Sequence, residues 1–395
     1  MPHVNPEILK WAREKAGLSY ADAARRLGIG SARGVAADDR IRALETGEVH
    51  PTRAQLGRMS KVYHRPLVTF YLAAPPPAGP KGQDFRRVVD RDLDSDEPTL
   101  DALIRDVVAR QELVRAALLE EDPDLAAVPF VGSLAIGATV PAGVAAVSSA
   151  ISRTSGDFKD ARDPDLAFAT LRKGVEEAGV FVLLLGDLGS WQTEIDTRSF
   201  RGFAMADQIA PFIVINDHDS RGAWSFTLIH ELTHILLGQT GVSGATVDKG
   251  VERYCNDVAS NFLLPDQALA ALKLGEDRVT QLLAERVRAF ALERNVSSSM
   301  VAYRAYRQGT LTRGEWQALS SHFRAMWREE KARERARRTG STSGPSYYVV
   351  RRHRLGALVG TVARHLSGGV LSTAKAGQVL GVKPGNVGPL VEGAR

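Results

Sequence analysis

"SFTLIHELTHILLG", residues 225–238, is the stretch on which the reading of this chain turns. It is apolar almost throughout, yet it places His230 and His234 four residues apart with Glu231 directly after the first. An apolar run of this length closing on glycine predicts a helix. On a helix, residues i and i+4 share one face about a turn apart. Both imidazoles can then reach one ion, while Glu231 points beside it, where a carboxylate can take a proton from a metal-bound water. Two histidines at this spacing on an apolar helix are often no more than core residues. The surroundings therefore decide.

A zinc centre that does chemistry needs a third protein ligand and an open position. "GVERYCNDVASNFLLP", residues 250–265, reads as a second helix, and its Glu252 lies eighteen residues beyond His234. A hairpin through "GQTGVSGATVDKG" would bring Glu252 back over the first helix, so that His230, His234 and Glu252 hold Zn²⁺ and Glu231 is the catalytic base. Asn256 and Asp257 are placed to hydrogen-bond a ligating histidine from outside. Cys255 reads as a small buried residue or a redox-sensitive neighbour. Tyr254 and His218 are candidates to stabilise an oxyanion.

Upstream lie three strand-like runs, "GVFVLLLG" (179–186), "SFRGFAMAD" (199–207) and "PFIVIND" (211–217). The last is expected along the cleft rim, where it would pair with substrate backbone as an added strand.

Composition bounds the rest. A hydrophobic fraction of 44% with 25% charged residues is that of a soluble globular protein. A single cysteine excludes an internal disulfide framework and fits a reducing compartment. The start, "MPHVNPEILKWAREK", has no apolar signal core, so a cytoplasmic location is expected. "VPFVGSLAIGATVPAGVAAVSSAI" (128–151) is long enough to span a bilayer. Gly, Ala, Ser and two prolines dominate it, and it reads as a loop leading into a buried helix, with no membrane span. The net charge of +5 matters only where it is clustered.

The chain is expected to divide at its proline-rich and serine/glycine-rich stretches. Residues 1–74 form an all-helical unit, 75–98 a proline-rich linker and 99–164 a helical connector. Residues 165–340 hold the candidate metal domain and its helical follow-on, and 341–395 form a small helical domain. In that last part "STAKAGQVLGVKPGNVGPLV" (372–391) has a faint helix-turn-helix rhythm whose second helix Gly385 and Pro389 weaken.

"TLIHELTHILLG" followed by "VERYCNDVASNFLLP" resembles the ImmA/IrrE family of zinc metallopeptidase-like proteins, over roughly residues 165–310. "NVSSSMVAYRAYRQGTLT" (295–312) matches the family's helical follow-on. The resemblance implies a minimal zincin-like domain, zinc on His230, His234 and Glu252, and catalysis by Glu231. Cys255-Asn256 departs from the family's frequent Ala-Asn.

The N-terminal unit resembles the XRE class of helix-turn-helix domains through "LSYADAARRLGI", "RIRALETGEVHPT" and "AQLGRMSKVYHRPLVTFYL". That resemblance implies a third helix in the major groove of double-stranded DNA. Arg40 and Arg42 lie on it and Arg33 before it, while Arg25, Arg26, Arg53 and Lys61 are placed for backbone phosphates. Glu45 reads as structural. The departure is "GSARGVAADD", longer than the usual tight turn.

Together these readings imply an α+β, mostly helical protein: a cytoplasmic DNA-binding transcriptional regulator carrying a zinc metallopeptidase-like domain. Its role would be that of a stress-responsive regulator or of the antitoxin in a toxin–antitoxin pair. The alternative is a zinc metalloprotease that cleaves a helix-turn-helix repressor and uses its N-terminal unit to recognise it. Expected partners are an operator and a toxin or repressor protein. A homodimer is also expected, with the stripe of "TLDALIRDVVARQELVRAALLEE" (99–121) either joining two copies or packing inside one.

Overall fold

The computed structural model describes residues 4–32, 34–76, 97–190, 193–242, 249–339 and 346–393. Its helices and strands cluster into two units. The first holds α1 (Pro6–Lys15), α2 (Tyr20–Leu27), α3 (Ala37–Glu45), α4 (Arg53–Val62), a short 3-10 helix (Leu67–Tyr71) and the first part of α5 (Glu97–Glu121). α1, α2 and α4 start where a side chain satisfies free N–H groups. Asn5 accepts from Glu7, Ser19 from Asp22, and Thr52 forms a reciprocal box with Gln55. Ile8, Leu9, Ala23, Leu27, Ile41, Leu56 and Phe70 meet in one core.

Into this core the chain inserts a charge pair. Arg13 donates from Nε and Nη2 to the two oxygens of Glu45 at 2.7 and 3.0 Å, with the residues only 6% and 9% exposed. Glu45 thus joins α1 to α3. The unusual loop before α3 resolves into a tight turn: Ala32 and Val35 exchange both backbone hydrogen bonds, at 3.1 and 3.0 Å, around Gly34 at φ +78°.

The second unit holds the rest of α5, then α6 (Val140–Ile151), α7 (Ser155–Lys159), α8 (Pro164–Glu177), β1 (Phe181–Leu184), β2 (Gly202–Met205) and β3 (Phe212–Ile215). It continues through α9 (Arg221–Leu236), β4 (Gly241–Val242), α10 (Lys249–Leu263), α11 (Asp266–Leu269), α12 (Thr280–Leu292), α13 (Ser298–Arg307) and α14 (Arg313–Thr339). Last come α15 (Tyr347–Leu355), α16 (Ala357–Ser367), α17 (Thr373–Leu380) and α18 (Val387–Glu392). The architecture is mostly helical α+β with one small sheet, ordered β1-β3-β2-β4. β1 runs parallel to β3, and the other pairs are antiparallel.

Two sequence expectations change here, and a third is narrowed. "PFIVIND" is not a rim. β3 lies between β1 and β2, so both edges of its backbone are already paired and no substrate strand can add to it. Its unbroken apolar run marks a strand covered on both faces rather than one at an edge. Of the two places expected for the stripe of α5, packing inside the chain is the one seen: Val107, Val114 and Ala117 are buried and Gln111 donates to the carbonyl of Ala210 at 2.7 Å. Finally, α18 forms despite Pro389, since the proline falls in the first helical turn, where its missing N–H has no partner to lose. Residues 128–139 do form a loop that leads into α6, and no helix among the described residues is long and apolar enough to cross a membrane.

The last helices are fastened to the sheet. Arg172 of α8 donates to the carbonyls of Val182 and His353, both at 2.6 Å, and pairs with Glu176 at 3.0 Å. Glu176 in turn accepts from the N–H of Ala357 at 3.2 Å, and Arg354 pairs with Asp217 at 2.7 Å. α15 and α16 therefore lie against β1.

Candidate metal centre

α9 is buried without interruption from Thr227 to Leu236. β2 and β3 cover one side, and α6, α8 and α10 the others. This explains why its sequence is apolar all round rather than amphipathic. Within it His230 is 4% exposed, His234 6% and Glu231 0%.

α10 packs along α9 and presents Glu252 to the histidines. Nε2 of His230 and Nε2 of His234 are 3.2 Å apart, and they lie 3.5 and 3.3 Å from the two oxygens of Glu252. These three residues form one of the groups able to hold a metal ion among the described residues. The spacing is a test of fit. Donors bound at 2.0–2.1 Å in tetrahedral geometry stand about 3.3–3.4 Å from one another, the edge of the tetrahedron. The two nitrogens thus stand about one such edge apart, and each meets one oxygen of Glu252 at a similar spacing. Two imidazoles and a carboxylate are also a donor set that zinc accepts while keeping a fourth position free.

The electrostatics point the same way. Burial pushes the Glu252 carboxyl up, but hydrogen bonds from His230 and His234 outweigh it and hold the group well below the usual carboxylate range. Burial lowers His234, while Cys255, Glu252 and the charge of Glu231 raise it well above an ordinary histidine. The pocket is therefore built for positive charge next to Glu252. Burial raises the Cys255 thiol, and the hydrogen bond and charge of His234 pull it the other way.

Glu231 follows His230 by one residue and is directed at the sheet. A β-carbon on Gly202 of β2 would come within 2.9 Å of Glu231 Oε1, so the missing side chain of Gly202 makes room for this carboxylate. The ring of Phe226 leans on His230 with centroids 6.0 Å apart.

The other expected site residues fall elsewhere. Asp257 pairs with Arg307 at 3.5 Å, and Asn256 makes no hydrogen bond to either imidazole. The hydroxyl of Tyr254 donates to the carbonyl of Thr139, which commits it to the start of α6. His218 lies in the loop between β3 and α9. What sequence reading passed over is Gln239, whose side-chain oxygen stands 3.4 Å from Nδ1 of His234. The available signal was Leu-Leu-Gly-Gln, a glycine helix stop that turns the next residue back onto the last turn.

In the N-terminal unit, Arg26, Arg53 and Lys61 are exposed. Arg25 pairs with Asp22 at 2.5 Å, and Arg42 lies over the ring of Tyr20 at 4.4 Å while remaining exposed. Arg40 turns back to donate to the carbonyl of Gly30 at 2.5 Å, bracing the loop before α3. Arg33 lies outside the described residues.

Comparison with protein families matches residues 181–306 to the model Peptidase_M78, the IrrE N-terminal-like domain. Neither the curated proteins nor the solved structures contain a match to the chain.

Proposed function

We propose, from the premise that residues 181–306 are an IrrE N-terminal-like peptidase domain, that this chain is a regulator able to cut a peptide bond in a protein target at a zinc centre. The single observation that carries the reading is the convergence of His230, His234 and Glu252 to the edge lengths of a zinc tetrahedron, with Glu231 one residue along the same helix. Zinc bound there would polarise the scissile carbonyl and supply hydroxide near neutral pH.

The chain's own residues do the rest. Glu231 takes the proton of the attacking water and returns it to the departing amine. The close wall of β2 at Gly202 fixes where its carboxylate stands, and the burial of α9 keeps bulk water from competing for it. Glu252, held ionised between two imidazoles, balances the charge of the cation.

The N-terminal unit is read as the DNA-binding half. Its support is α2 and α3 packed as a pair on a common core, with Arg25, Arg26, Arg42, Arg53 and Lys61 on the surface. α3 would enter the major groove, and the exposed arginines and lysine would meet phosphates. Its protein partner would be a toxin or a repressor, presented to the metal domain as a target.

The test is metal content by elemental mass spectrometry on wild type and Glu252→Ala. About one zinc per chain, lost in the variant, supports the reading. A wild type that stays metal-free after incubation with zinc sinks it. For the DNA half, duplex binding by a pool of genomic fragments should fall on Arg42→Ala and weaken steeply with salt. Retention of no fragment would refute it.

A further inference from the structure

His234 turns its two nitrogens to different surroundings. Nε2 faces His230 and Glu252 at 3.2 and 3.3 Å, whereas Nδ1, on the other edge of the ring, faces Oε1 of Gln239 at 3.4 Å. We infer that Gln239 is a positioning residue for the metal: its amide oxygen accepts the Nδ1 hydrogen of His234 and so aims the Nε2 lone pair at the ion. The inference rests on the zinc reading above and adds to it a residue outside both motif helices.

The chemistry requires such a group. An imidazole that ligates through Nε2 carries its one hydrogen on Nδ1, and an acceptor there fixes both the tautomer and the angle of the ring. A glutamine oxygen is neutral, so it orients the ring without adding charge to a pocket that already contains Glu231 and Glu252.

The fold leaves Gln239 little freedom. Two residues past the end of α9, Gly238 lies in the left-handed region, φ +69°, and its N–H bonds to the carbonyl of Ile235 at 2.9 Å. The N–H of Gln239 bonds to the carbonyl of His234, also at 2.9 Å, so the chain doubles back beneath the ring it serves. On the far side, Thr240 accepts from the N–H of Ala206 at 2.9 Å, and β4 follows at once, paired to β2. The outer face of the turn is closed too. Gly132 donates to the carbonyl of Ile235 at 3.0 Å, and a β-carbon on Gly238 would come within 3.1 Å of the Gly132 backbone. Gln239 is thus pinned between the helix end and the sheet.

The two ligating histidines are not equivalent. Nδ1 of His230 is buried with no hydrogen-bond partner among the described residues. The outer support falls on His234 alone, and the residue that supplies it is the one a helix stop delivers.

The experiment is zinc affinity of the full chain by competition with a chromophoric chelator, for wild type, Gln239→Leu and Gln239→Glu, with zinc-free melting curves taken for each. Gln239→Leu, which keeps the bulk and removes the acceptor, should bind zinc about 10–100-fold more weakly. Gln239→Glu, a stronger acceptor, should bind at least as tightly as wild type. A leucine variant within about threefold of wild type overturns the inference, since outer partners ordinarily contribute more than that. So does a glutamate variant as weak as the leucine one, because packing and not the acceptor would then be what matters. If Gln239→Leu does not fold, Gln239→Glu alone decides, by tightening or weakening. Failure of the wild type itself to bind zinc overturns the metal reading and this inference together, and is told apart by where the loss appears.

Discussion

Replacing Gly202 with alanine should disturb the wall that seats Glu231, the proposed base. The added β-carbon would stand 2.5 Å from Cγ2 of Thr227, 2.9 Å from Oε1 of Glu231 and 3.0 Å from the carbonyl oxygen of Val214. Carbon atoms rest at about 3.5–4.0 Å, so α9 and β2 must separate by roughly 1 Å at this point. Forcing one methyl into a packed interior costs about 1–3 kcal/mol. A carboxylate moved by about 1 Å loses about a hundredfold in rate.

The nearest obstacle can be removed separately, because Thr227→Ser deletes the methyl at 2.5 Å. The double variant should therefore recover part of the loss, with a coupling of about 0.5–3 kcal/mol between the two sites. Urea unfolding followed by far-ultraviolet circular dichroism gives the four free energies. A Gly202→Ala chain as stable as wild type refutes the reasoning. Strictly additive single and double variants do so as well.

Three further outcomes are expected. Glu45→Ala leaves the buried Arg13 with only the exposed Glu14, 3.6 Å away, as a counter-charge and should cost up to about 3–5 kcal/mol, whereas Arg13→Met with Glu45→Leu should cost far less; thermal melts of the full chain compare them. Gly356→Ala places a β-carbon against Glu176 Oε1 and Arg172 Nη2 at φ +53°, and should strip hydrogen-exchange protection from residues 347–392 while leaving α9 protected. Burial, partly offset by Arg172, raises the Glu176 carboxyl above its ordinary 4.5. The folded chain then holds that proton more tightly than the unfolded chain, so stability declines as pH rises from about 4.5 through the folded value. Glu176→Gln should flatten that decline in unfolding curves taken between pH 4.5 and neutrality.

The candidate metal residues were legible because their geometry is local. Helical spacing puts His230 and His234 on one face, and a hairpin of plausible length returns Glu252. The three strands were legible by their apolar runs, but their order was not: "PFIVIND" alone does not say that β1 and β2 flank it, because pairing is settled by connections distant in sequence. Asp257 could not be separated from a role beside the histidines without α13, which supplies Arg307 fifty residues on. Gln239 went unnoticed because its part depends on the angle of a helix stop and not on its own chemistry. In the N-terminal unit, the basic residues were easy to find and their commitments were not. Arg40 and Arg42 look alike in the sequence, yet one braces a loop and the other stays exposed.

The attachment of α15 and α16 to β1 bears on how the molecule stays dispersed. β1 ends the sheet, and its four residues, Phe-Val-Leu-Leu, are all buried. Arg172 occupies the carbonyl of Val182, and the last helices stand over the strand. A chain cut before Tyr347 would uncover an apolar strand with free backbone groups, the surface that recruits strands from other molecules. Proteolytic loss of the tail would therefore be felt first as self-association, with the candidate metal residues on α9 and α10 still in place.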